Sequence, residues 1–162
     1  MKKQYPVIGL VFGLMISHVN ASQATQITKQ QVIAINDSFV TGMREKDFSV
    51  YEKYLHESTL IYLDFEPGVD NKPVQVKLSE FKMLAQMSMR MTDDIQVDDE
   101  VLSVTVDRQN NQVTLVSKST VTMDMMGTRV TDVSEGTTVF GLINGQIKIL
   151  SVHSTLLSST TH

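Results

Sequence analysis

From residue 28 onward the apolar positions recur first at helical spacing and then at strand spacing. Val32, Ile35, Phe39 and Met43 lie three or four residues apart, Ile33 and Val40 widen the arc, and Thr28 with Gln31 forms a capping box ahead of them. This predicts a helix ending near Gly42. Asp47 is placed to cap a second, shorter helix carrying Phe48, Tyr51, Tyr54 and Leu55. Thr59 to Phe65 is β-rich and stops at Glu66-Pro67-Gly68; Val69 to Pro73 reads as a loop and Val74 to Val76 as a short return strand. A third helix, capped by Ser79, presents Phe81, Leu84, Met87 and Met91 on one face, with Met83 beside them.

Beyond Ile95 the period is two. Strands are expected over Val97 to Asp107, Val113 to Met125, Arg129 to Ile143 and Gln146 to Leu157, with turns at Asn110-Asn111, Gly127 and Asn144-Gly145. The turns imply registers. Placing Gly127 in its connection sets Asp124 opposite Arg129 and Lys118 opposite Glu135, two charge pairs from one assumption, on a face that also carries Thr120, Thr122 and Thr131. The other face is expected to meet the helices. It holds Leu102, Val104 and Val106, then Leu115, Ser117, Ser119, Val121 and Met123, then Asp132, Ser134, Gly136, Thr138 and Phe140, and finally Ile149, Ser151, His153, Thr155 and Leu157. One row reads Val104, Ser117, Gly136, His153.

Small polar side chains on a concave face leave volume, and a buried hydroxyl without a partner costs about 1–3 kcal/mol. Either the helices supply partners or the face lines a pocket for an apolar or amphipathic molecule. The pocket expectation assigns it Phe39 of the first helix with Ser117, Ser119, Ser134, Gly136, Ser151 and His153.

Composition narrows the setting. Lys2 and Lys3 precede an apolar run from Tyr5 to Ile16, followed by Val19-Asn20-Ala21, the pattern of a secretory signal peptide over residues 1–21 with cleavage after Ala21 or, as a fallback, Ala24. The run falls short of the roughly 20 apolar residues of a membrane span. With no cysteine in the 162 residues, disulfides and a lipid-carrying cysteine are excluded, and a periplasmic destination is expected. Loss of the two leader lysines moves the formal charge from −4 to −6, which argues against a nucleic-acid partner. A single domain over 25–158 is expected, with no linker or repeat dividing it.

The order Thr28 to Met43, Asp47 to Leu55, Thr59 to Phe65, Ser79 to Met91 and four terminal strands, including Thr137-Thr138-Val139-Phe140 and Gly145-Gln146-Ile147, resembles the nuclear transport factor 2-like superfamily, the cystatin-like group that includes polyketide cyclases and ketosteroid isomerases. The resemblance covers essentially the whole chain after the leader. It implies an α+β fold of order α-α-β-β-α-β-β-β-β, a curved, mostly antiparallel sheet wrapped around three helices from the N-terminal half. It further implies a cone whose mouth holds ligands, and homodimers through the outer sheet face. The catalytic sets of its enzymes do not carry over. Thr28 to Met43 lacks the tyrosine an isomerase-like site wants, and no arginine stands between two aspartates as in the epoxide hydrolases.

His153 is the leading candidate for acid–base chemistry near neutral pH, against the alternative of a core histidine satisfied by Ser117 or Ser151. Asp132 lies four residues along neighbouring strands, about 13 Å at roughly 3.3 Å per residue, too far for a direct dyad. Asp64 is the alternative acid and Tyr62 a possible donor, unless both point to solvent; using His153 or Asp64, the protein would be a cofactor-independent isomerase or lyase. A third reading is a periplasmic protein-interaction module with a vestigial pocket, which predicts a large exposed apolar patch. Met83, Met87, Met89 and Met91, and the hairpin-tip group Met123, Met125 and Met126, offer soft ligands for copper(I), but Met83, Met87 and Met91 follow helical spacing, which favours a core role. No metal site or cofactor is therefore expected. Asp93, Asp94, Asp98, Asp99 and Glu100 do not match a calcium loop and read as a solvated strand entrance.

Overall fold

The computed structural model describes residues 26–65, 72–125 and 127–162. The expected leader with its cleavage positions, the Glu66-Pro67-Gly68 stop and Met126 lie outside these residues. The elements are α1 (Lys29–Glu45), α2 (Ser49–Tyr54), β1 (Leu60–Asp64), β2 (Val74–Val76), α3 (Leu78–Met91), β3 (Thr92–Asp107), β4 (Gln112–Met125), β5 (Thr128–Ile143) and β6 (Gln146–Thr161). The six strands form one curved, unclosed sheet in the order β2-β1-β6-β5-β4-β3, antiparallel throughout except for β1 beside β6. The expected α+β architecture and element order are both present, and β6 runs on to Thr161.

Local chemistry explains the boundaries. Thr28 Oγ1 accepts from the Gln31 amide while the Gln31 side chain accepts from the Thr28 N–H, the reciprocal capping box. The helix passes Gly42 and stops at Lys46, whose left-handed backbone (φ 58°) returns its N–H to carbonyls of the last turn. Asp47 accepts from the Ser49 amide at 3.0 Å at the head of α2. Ser79 is not a cap, because α3 begins at Leu78 behind an extended Lys77.

Val32, Ile35, Phe48, Leu55, Met89, Leu115, Phe140 and Ile149 make the core, with Phe39, Tyr51, Tyr54, Phe81 and Ala85 packed against it. The Phe39 ring stacks on Tyr51 with centroids 4.8 Å apart and meets Tyr54 edge-on at 5.6 Å. Phe140 in the same cluster and Ile61 of β1 are fully buried.

The expected face of α3 is wrong in all but Phe81. Met83, Met87 and Met91 are 61%, 49% and 43% exposed, Leu84 is also exposed, and the helix instead buries Met89, with Leu78, Phe81 and Ala85 packed beside the core. The core role assigned to this methionine series is thus overturned. Two apolar rows, 81-85-89 and 83-87-91, start two residues apart, or about 200° around a helix, so they lie on nearly opposite sides. Which row faced inward was not determined by spacing alone.

Strand registers divide the same way. Asp124 faces Arg129 and Lys118 faces Glu135, as the Gly127 turn requires, and Arg129 Nε and an Nη each donate to the Asp124 carboxylate at 2.8 Å. Between β5 and β6, however, bulges at Val139/Phe140 and Val133/Ser134 leave Leu150 and Leu157 as extra residues. Phe140 still faces Ile149, but Thr138 faces Val152, Gly136 faces Ser154 and Ser134 faces Leu156. A bulge also shifts β3 against β4, so the expected Val104-Ser117-Gly136-His153 row is in fact Val101-Ser117-Gly136-Ser154.

Candidate functional site

The concave face follows from these registers. On β4 it carries Val113, Leu115, Ser117, Ser119, Val121 and Met123; on β5 it carries the even positions from Val130 to Phe140 that oppose them. Between its bulges β6 turns Val152, Ser154 and Leu156 inward, which sends Ser151, His153 and Thr155 to the outer face. Ser151 and His153 are therefore not pocket residues. His153 is exposed, opposite Thr137 and in edge contact with Tyr62, ring centroids 6.3 Å apart. Ile61 is the buried residue of β1, so Tyr62 and Asp64 share the outer side with His153. The face-to-face relation of an inward acid and an inward histidine does not exist here.

Of the remaining expected pocket residues, Phe39 packs against the core and Ser117 is buried in β4. A Cβ added to Gly136 would meet no atom within 4 Å, so open space does exist over that position. Phe65, just after β1, is 58% exposed and does not fill the concave face.

The open volume lies nearer the mouth, as a cavity of about 250 Å³. Met43 of α1 and Ala85, Ser88 and Met89 of α3 form one wall; Ile95 of β3, Val121 and Met123 of β4, and Asp132 and Ser134 of β5 form the other. Ser134 is the expected pocket residue that lines it. The bonding of Asp132 comes from the second bulge: with Leu157 set aside, Ser159 lies opposite Asp132 and donates to its Oδ1 at 2.6 Å.

One row deeper sits a second carboxylate, on Asp99. Asp99, Ser119 and Ser134 are successive cross-strand neighbours. Asn36 Nδ2 of α1 donates to Asp99 Oδ2 at 2.8 Å and the Ser119 hydroxyl donates to Oδ1. Helix one thus supplies a partner to the sheet, the first of the two ways an inward polar group can be satisfied. Tyr51 belongs to the same neighbourhood: burial, and secondarily the negative charge of Asp99, hold its phenol well above the usual tyrosine range. Its hydroxyl donates to the Phe39 carbonyl at 2.9 Å. Among the described residues no buried side-chain nitrogen or oxygen lacks a partner.

Asp99 departs from the expectation of a solvated acidic run. Ile95, Val97 and Asp99 alternate on one side of β3, Ile95 and Val97 being buried, and that period-two pattern is the signal that separates Asp99 from its exposed neighbours Asp98 and Glu100. Among the described residues, no group of three or more His, Cys, Asp or Glu side chains is arranged to hold a metal ion, and no helix is long and apolar enough to cross a membrane.

No protein-family model and no curated protein matches the chain. Solved structures do match. A hexachlorocyclohexane dehydrochlorinase, LinA type 2, aligns at a TM-score of 0.64 with 8% identity over 81% of this chain and 86% of its own. A candidate dehydratase of the NTF2-like family from Streptomyces avermitilis aligns at 0.59 with 17% identity over 80% and 95%. An NTF2-like protein from Cytophaga hutchinsonii aligns at 0.59 with 14% identity over 80% and 99%. At these identities the likeness establishes the fold alone: the chain folds as these NTF2-like proteins do.

Proposed function

We propose that this is an exported protein that binds a small apolar or amphipathic molecule in the mouth of its cone. The observation that carries the reading is the cavity of about 250 Å³, whose wall is mainly thioether and aliphatic, with Ser88, Asp132 and Ser134 as its polar groups. Such a mix, apolar with a few convergent polar atoms, suits a ligand held by burial and oriented by hydrogen bonds. The volume falls slightly below the usual range of about 300–1,000 Å³, so the ligand is small or leaves one end in solvent. The solved neighbours include a dehydrochlorinase; the polar groups of this cavity are Ser88, Asp132 and Ser134, and binding is the function read from them.

Export rests on the leader pattern of residues 1–21, and the expected location is a Gram-negative periplasm. Homodimerisation through the outer sheet face is part of the same proposal, by analogy with the fold. The test is native mass spectrometry of protein purified from its own cell envelope. A mass lacking 21 or 24 residues, together with a small-molecule adduct, is the expected result. Ser134→Leu, which fills the cavity, should remove the adduct without unfolding the protein. An adduct that survives Ser134→Leu would place the ligand elsewhere.

One observation favours a second reading. Met83, Leu84, Met87 and Met91 form an exposed apolar face along α3, and exposed methionines suit adaptable protein contacts. In that reading the protein is a periplasmic interaction module with a vestigial pocket. A hetero-complex in the same spectra, lost on Met87→Lys and accompanied by no small-molecule adduct, would favour it.

A further inference from the structure

We infer that the mouth cavity selects cations: an apolar body bearing an ammonium group, seated against Asp132. The inference rests on the binding reading above and adds the charge of the ligand to it. Asp132 is the one ionisable side chain in the cavity wall, and no lysine, arginine or histidine lines it. Its Oδ1 is engaged by Ser159, whereas Oδ2 takes no hydrogen bond from any described residue. An ammonium brings several donors, enough for Oδ2 and the hydroxyl of Ser134 or Ser88.

The surrounding charges point the same way. Asp99 stands one row along the sheet, outside the cavity lining, and adds a second negative charge behind Ser134. Three cations of α1 and the β4–β5 hairpin are committed to other partners. Arg44 donates to the Val97 carbonyl, Lys46 to the carbonyls of Thr92 and Asp93, and Arg129 to Asp124. A neutral apolar ligand fits the aliphatic wall equally well, but covering Asp132 with it strands a carboxylate oxygen away from water. Cation over neutral over anion is the ranking this wall produces.

The test compares three shape-matched probes, octylamine, octanol and octanoate, by calorimetric titration and by displacement of an apolar fluorescent dye from the purified protein. Octylamine is expected to bind about tenfold tighter than octanol or better, the order expected of one charge-assisted hydrogen bond, with octanoate weakest. Asp132→Asn, close in shape, should erase the advantage of the amine over octanol. Ser159→Ala, which keeps the carboxylate, should preserve the advantage, so a poorly folded Asp132→Asn does not decide the matter. Equal binding of octylamine and octanol would overturn cation selection while leaving the binding function intact. An advantage that persists in folded Asp132→Asn would overturn the role of Asp132. If none of the three probes binds, both the selectivity and the binding function fall.

Discussion

Tyr51 and Asp99 show how a buried neighbourhood sets the behaviour of one hydroxyl. Because burial first and the Asp99 charge second raise the Tyr51 pKa, the folded state holds the phenol proton where the unfolded chain would release it. The stabilisation from this linkage is complete below about pH 10, the unfolded value, and is lost as the pH climbs beyond it. Tyr51→Phe removes the hydrogen bond to the Phe39 carbonyl, and is expected to cost roughly 1 kcal/mol near neutral pH. Its deficit relative to the parent should shrink above about pH 10, which urea denaturation at the two pH values measures directly. Asp132 and Asp99 also mark what could be read at this scale. Asp132 falls on the inward face even in the expected register, and Asp99 shows alternation with Ile95 and Val97. What no local pattern revealed was their bonding, since Asn36 reaches Asp99 across 63 residues and Ser159 reaches Asp132 only after a bulge.

The elements were legible wherever one local signal sufficed. The capping box located α1, and the Gly127 turn fixed the β4–β5 register residue for residue. They were not legible where two solutions had equal local merit, as in α3, whose two apolar rows face opposite ways. The consequence of the observed choice is chemical: a peroxide pulse should oxidise Met83, Met87 and Met91 well before Met89, which is 9% exposed. Peptide mass spectrometry gives the order, and early oxidation of Met89 would contradict this orientation of the helix. Helix packing yields a paired test with glycine. A side chain at Gly42 would press on the Asp47 carbonyl and Val50, at 3.0 and 3.2 Å from its first carbon, whereas Gly136 opens onto space. Gly42→Val should destabilise by about 1–3 kcal/mol, while Gly136→Ala should be neutral or stabilise by up to about 1 kcal/mol; thermal unfolding separates them.

At the scale of the whole molecule, an open six-stranded sheet has two edges, β2 and β3. The β3 edge is 16 residues long and is the more exposed to pairing with another chain. Its acidic run has a physical purpose here, because Asp93, Asp94, Asp98 and Glu100 are exposed along that strand and deter edge-to-edge association. The double variant Asp98→Val with Glu100→Val is expected to aggregate severalfold faster at neutral pH, as followed by light scattering, with little change in the melting temperature. Fold order, strand number and this edge were all within reach of the sequence, since they depend on periodicity summed over long segments. The composition of the concave face was not, because it depends on two single-residue bulges that no residue type announces. Those bulges carry a further consequence for how such a cone diversifies. Leu150 and Leu157 bracket a stretch of β6 whose inside and outside are exchanged relative to its flanks. Deleting Leu150 alone would remove the first bulge and restore simple alternation from the Asn144-Gly145 hairpin, yet Ser151 would still oppose Val139 and His153 would still oppose Thr137 on the outer face. In a sheet built this way the residue that a bulge sets aside is the one whose loss preserves the lining, so a lost codon at Leu150 leaves inside and outside where they were.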